Sequence, residues 1–199
     1  MKPLTKKLWI IAVICAVAII GVIILFQSRM NLLPHMVATV TEGNKKESFP
    51  AIDTGKLDLT QQKIVALLRQ EYKAQPAGTK YSEGVGEPWC ADFVSWIMKN
   101  TDVPLKNPNS GSWRIPGTYT LREYYESSGR FKSAESGYSP KVGDIMLYDN
   151  PSPFGQHTNI VIKNNNGVVT TIGGNEPGGI RVYTHTDKDG VGFVGYGIL

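Results

Sequence analysis

Glu87-Pro88-Trp89-Cys90-Ala91-Asp92-Phe93-Val94-Ser95-Trp96-Ile97-Met98 is the stretch from which the fold can be built outward. Pro88 suits the first turn of a helix, where its missing N–H costs nothing. Trp89, Phe93, Trp96 and Ile97 then form one apolar stripe, and Cys90, Val94, Ile97 and Met98 form the next. A helix apolar over most of its circumference belongs in the middle of a domain. Cys90 falls in its first turn, where unpaired backbone N–H groups and the positive end of the helix dipole favour a thiolate.

Toward the N-terminus, Thr60 is an N-cap candidate for an amphipathic helix carrying Ile64, Leu67, Leu68 and Tyr72 up to about Ala74, ended by Pro76 and Gly78. A third, short helix is expected at Tyr119 to Ser127, closed by Gly129. Beyond Ser139-Pro140 the pattern changes to short β-branched and aromatic segments. Asp144 to Tyr148 reads as a strand, and His157 to Ile162 as a second. Val168 to Ile172 returns across the turn Asn164-Asn165-Asn166-Gly167, since Asn-Gly between apolar runs is a strong hairpin signal. Ile180 to Tyr183 and Phe193 to Ile198 complete the sheet. Helices first and a mostly antiparallel sheet afterwards define an α+β domain over residues 57–199.

Before that domain, Leu8 to Phe26 is an uncharged run of about 19 residues, long enough to span a bilayer. Signal h-regions are shorter and end at a small-x-small site, whereas this run ends at Gln27-Ser28-Arg29-Met30. The expected organisation is a cytoplasmic tail at 1–7, one uncleaved transmembrane anchor at 8–27 and a polar stalk at 28–56. Lys2, Lys6 and Lys7 precede the span and only Arg29 closely follows it, so the positive-inside rule keeps the N-terminus in the cytoplasm and puts the domain outside it. The net charge of +4 suits an anionic partner, but three of those lysines flank the anchor, and no basic stripe with interleaved aromatics points to nucleic acid.

Of the two cysteines, Cys15 lies in the span, which leaves Cys90 without an intrachain partner in an oxidising compartment. Such a thiol is either an inert core residue or a reactive one. A reactive thiol needs a proton acceptor, and the exported chain offers His35, His157 and His185. His35 sits in the stalk, and His185 adjoins the polar turn Thr186 to Gly190, where a surface role suffices. His157 opens a strand, and the hairpin register sets Gly174 or Asn175 opposite it. Asn175 is then placed to hold the imidazole, although a plain turn role suits it equally; Glu176 falls on the opposite parity and is left out. Asp187-Lys188-Asp189-Gly190 lacks the distal Glu of a calcium loop, no Cys/His pair has zinc spacing, and no phosphate-binding Gly-Lys-Ser/Thr loop exists. No metal, nucleotide or other cofactor is expected.

Several of these segments together resemble one family. Glu87 to Trp96 resembles the nucleophile helix of CHAP domains, the cysteine- and histidine-dependent amidohydrolases/peptidases. Pro140-Lys141-Val142-Gly143-Asp144-Ile145 is similar to their entry into the first central strand, Gln156 to Val161 to their histidine strand, and Thr171 to Asn175 to the segment of their third residue. The resemblance spans about Thr60 to Leu199. It implies a papain-like fold and a bacterial cell-wall hydrolase with peptidoglycan as its substrate. The bond cut would be an amide between sugar and stem peptide, or one within the peptide and its cross-bridge. It implies Cys90, His157 and Asn175 as catalytic residues, with Tyr81 helping to bind the carbonyl oxygen and Trp89 beside the substrate. Many relatives carry Glu where this sequence has Gly173. That departure leaves open a non-catalytic envelope module of the same fold, and a third alternative is a cysteine protease or transacylase acting on exported proteins.

Overall fold

The computed structural model of the chain describes residues 48–150, 152, 155–185 and 192–199. The expected tail, anchor at 8–27 and stalk as far as residue 47 lie outside them, as do Cys15, His35 and the turn at 186–190. Among the described residues no helix is long and apolar enough to cross a membrane.

Helix α1 (Leu59–Ala74) starts two residues earlier than a Thr60 cap implies. Asp58 is the N-cap, its carboxylate accepting from Gln61 N while the Gln61 side chain accepts from Asp58 N. This reciprocal capping box satisfies donors that the helix start leaves open. At its other end Gln75 adopts a left-handed conformation at φ 47°. Its carboxamide accepts from Ile180 N and donates to Ile180 O, both at 2.9 Å, and so occupies hydrogen-bonding groups of the edge strand.

Helix α2 (Cys90–Asn100) begins at Cys90, with Trp89 at the N-cap and Pro88 ahead of the helix. Ala91, Phe93, Val94, Ile97 and Met98 are buried, as the double stripe requires. Each large apolar side chain so buried contributes about 1.5–3 kcal/mol. Helix α3 (Thr118–Ser127) ends at Gly129, which takes φ 69°.

The sheet comprises β1 (Phe131–Ser133), β2 (Ile145–Tyr148), β3 (His157–Asn165), β4 (Val168–Glu176), β5 (Gly179–His185) and β6 (Phe193–Gly197). Their spatial order is β1-β6-β2-β3-β4-β5, and every neighbouring pair is antiparallel. The α+β class is as expected. The hairpin forms at the Asn-Gly turn, with Asn166 at φ 52° and Gly167 at φ 94°, the two positive values that a type I′ turn needs. Strand β1 was not foreseen from the sequence, because three residues bounded by polar positions carry too little alternation to register.

Ile145, Leu147, Ile160, Ile162, Ile172, Ile180 and Val182 pack with α1 and α2 into the main core. Met146, Tyr148, Val161, Val169 and Tyr196 form a smaller cluster on the alternate positions of the strands. The α2 axis lies against β3 and β4, which brings its N-terminus to the end of the sheet where β3 starts and β4 finishes.

Candidate active site

Cys90 is the first residue of α2 and is 5% exposed. The Trp89 side chain makes no capping hydrogen bond, so the first-turn N–H groups are left for other acceptors. The turn is held by an ion pair whose carboxylate is buried and whose guanidinium is partly exposed. Asp92 is fully buried and accepts from Arg114 Nε at 2.7 Å, while Arg114 Nη2 also reaches the carboxylate of Glu87. Burial pushes the Asp92 carboxyl above its ordinary range, against the opposing pull of the guanidinium. Arg114 thereby ties the helix start to the loop that precedes it.

His157 opens β3, as expected, and is 4% exposed. Its Nε2 is hydrogen-bonded to Glu176 Oε1 at 2.6 Å, and Cys90 lies beside the ring. With Nε2 engaged by the carboxylate, Nδ1 is the nitrogen that faces the thiol. Burial lowers the basicity of the ring, but the hydrogen bonds and charges of Cys90 and Glu176 outweigh it and hold the imidazole up at about 10. This favours the imidazolium at neutral pH.

The partner of His157 is thus Glu176 and not Asn175. The parity that set Glu176 aside holds only for an unbroken strand. The β4–β5 register shifts between Gly173 and Glu176, and Asn175 takes φ 59°, a left-handed conformation that Asn tolerates. One residue is absorbed in this bulge. Asn175 is exposed, and Glu176 turns inward to 7% exposure. A signal for this lay in Gly173-Gly174-Asn175, three residues that readily accept an irregular backbone just before the only carboxylate in the segment.

The same segment explains Gly173. A Cβ there would lie 1.9 Å from Asn159 Oδ1 and 3.0 Å from Glu176 Oε1. A side chain at 173 would require the Asn159 carboxamide to shift and would crowd the Glu176 carboxylate. The carboxylate beside the imidazole comes from Glu176 and not from position 173.

Tyr81 does not sit where a carbonyl-binding role needs it. It is completely buried, and its hydroxyl donates to Glu71 Oε2 at 2.7 Å, which uses the phenol's one proton. Lys80 Nζ completes the cluster on Glu71 at 2.6 Å. The Tyr81 ring instead stacks on Trp89, with centroids 5.2 Å apart and planes at 15°. Trp89 is half-buried and is packed so closely that a Cβ at Gly78 would lie 2.3 Å from its Nε1 and one at Gly174 2.3 Å from its Cζ3. Trp89 and the exposed Asn175 line an open groove together with Thr79, Val85, Glu87 and Pro88. Their chain neighbours Cys90 and Glu176 belong to the hydrogen-bonded row.

His185 is more engaged than a surface residue. It stands at the end of β5, with Nε2 3.0 Å from the Thr171 hydroxyl and Nδ1 3.5 Å from that of Tyr148. Among the described residues no cluster of His, Cys, Asp and Glu is arranged to hold a metal ion.

Helices packed on an antiparallel sheet thus bring together a thiol at a helix N-terminus, an imidazole at a strand start and a buried carboxylate. The family model of the CHAP domain matches residues 81–175. The matched stretch contains Cys90 and His157 and ends one residue before Glu176. Comparison with curated proteins and with solved structures gave no match.

Proposed function

We propose that the domain hydrolyses an amide bond of peptidoglycan through Cys90, His157 and Glu176, held at the outer face of the membrane by the apolar run at residues 8–27. The observation that carries this reading is a buried imidazole with Cys90, the only thiol among the described residues, beside it and the buried Glu176 carboxylate 2.6 Å from its Nε2. The Cys90 sulfur attacks the amide carbonyl carbon. The oxygen that gains charge is met by the uncapped N–H of Cys90 itself, since Tyr81 is committed to Glu71. Collapse breaks the C–N bond as His157 Nδ1–H passes its proton to the departing amine, leaving a thioester. The now neutral imidazole takes a proton from water, the hydroxide adds to the thioester, and the sulfur leaves with its electron pair. The carboxylic acid departs, and the thiol and imidazole share one proton again.

The non-catalytic alternative is motivated by the missing carboxylate at 173 and by the reach that an anchor restricts; the Glu176 carboxylate beside the imidazole weakens the first of these. Mass spectrometry of material released from purified sacculi tests the reaction class. The expected products are new free amines paired with new carboxyl groups on otherwise intact glycan; new reducing sugar ends without free amines would contradict amide cleavage.

The protonation state of His157 makes a second expectation. Turnover requires the imidazolium, so the rate is expected to persist through neutral pH and to fall as pH rises through about 10. Glu176→Gln keeps a hydrogen-bonding group but removes the charge that raises the ring, so this limb should move to lower pH. The sign for folding is the same. A raised imidazole contributes stability that is complete below 6.5 and is lost as pH climbs through about 10. A pH–rate profile of the two proteins, with thermal unfolding alongside, checks both.

A further inference from the structure

Glu176 uses both of its oxygens. Oε1 accepts from His157, and Oε2 accepts from the hydroxyl of Tyr183 at 3.2 Å. Tyr183 stands on β5, the edge strand of the sheet, opposite Thr171 of β4. The bulge at Gly173 to Glu176 interrupts the β4–β5 ladder at the carboxylate, so backbone pairing with β5 resumes only at Glu176 and Gly179. A carboxylate at an irregular strand end has rotamers to choose from. The hydroxyl arriving from the neighbouring strand selects the one that faces the imidazole.

We propose that Tyr183 is a positioning residue for the reaction, acting through Glu176 to fix the orientation and protonation of His157. The inference rests on the catalytic reading of Cys90, His157 and Glu176. Burial and the Glu176 charge both push the Tyr183 phenol well above its ordinary range, with Arg181 opposing, so the hydroxyl keeps its proton and donates at any working pH. The groups that set the charge around Glu176 are His157 on β3, Cys90 on α2, Tyr148 on β2, and Tyr183 and Arg181 on β5. Arg181 is drawn aside by the backbone, its Nε donating to Pro177 O at 2.9 Å. Tyr183 is therefore the side chain that anchors the second carboxylate oxygen.

The test compares wild type, Tyr183→Phe, Glu176→Gln and the double variant in the full chain. The readouts are kcat and KM on sacculi, the alkaline limb of the pH–rate profile, and an NMR titration of the His157 ring that needs no turnover. Tyr183→Phe is expected to lower kcat about tenfold, the weight of one hydrogen bond to a charged group, with KM unchanged. It should also move the limb and the His157 titration to lower pH, in the direction of Glu176→Gln but less far. In the Glu176→Gln background it should add nothing further. A His157 titration that stays in place or moves upward in Tyr183→Phe, or a full tenfold loss in both backgrounds, would overturn the proposal. Loss of the hydrolase reading itself has a different signature, which is turnover that survives Cys90→Ala.

Discussion

Glu176→Ala is expected to reduce kcat by on the order of 100-fold, at the lower end of what a positioned proton-transfer group contributes, while Asn175→Ala leaves kcat near wild type. The contrast follows from the bulge that ends β4. It turns Glu176 to within 2.6 Å of His157 Nε2 and leaves Asn175 exposed on the groove. Without the carboxylate the imidazole loses both the partner that fixes its ring plane and the charge that keeps it protonated. Asn175 touches the reaction only through the wall of the groove, so its removal should appear in KM. Steady-state kinetics on both variants checks this, with thermal unfolding to show that each is folded. The reverse ranking, a large kcat loss for Asn175→Ala and a small one for Glu176→Ala, would return the third role to Asn175.

The second large effect is on stability. Arg114→Leu is expected to cost about 3–5 kcal/mol, the penalty for leaving one partner of a buried ion pair without the other. Asp92 is fully buried, and Arg114 is the cation that reaches it. Glu87, the other carboxylate on Arg114, is partly exposed and is returned to water at little cost. The pH dependence distinguishes this cause from simple loss of packing. A buried carboxyl raised by desolvation penalises folding while it is charged, so the deficit should be largest at neutral pH and shrink as pH falls and Asp92 protonates. Asp92→Asn in the same chain should recover much of the loss at neutral pH. Urea unfolding of wild type and the two variants at neutral and acid pH measures it. An equal deficit at every pH would assign Arg114 a packing role only.

The elements that can be read from this sequence are those whose signal is local. The double apolar stripe of Phe93, Val94, Ile97 and Met98 specifies a buried helix, and Asn166-Gly167 specifies the hairpin that sets β3 beside β4. Cys90 and His157 follow from those two elements, because one starts the helix and the other starts the strand. What could not be read depends on contacts made across the fold. The β4 bulge is a backbone event of one residue, and a parity count carries across it the error of that residue. Tyr81 lies close to Cys90 in sequence, yet Glu71, ten residues upstream on α1, decides where its hydroxyl points. Arg114 has no motif of its own and acquires a role only when the loop after α2 folds back over Asp92. Capping at Asp58 in place of Thr60 is by contrast a local signal, since the box needs Gln61 three positions on.

The most direct measurement is release of soluble material from purified sacculi by the full-length protein and by Cys90→Ala, compared at equal concentration and with both shown to be folded. Cys90 is the only thiol among the described residues, so the alanine variant is expected to release nothing above the enzyme-free control. Equal release by the two proteins would contradict Cys90 as the nucleophile.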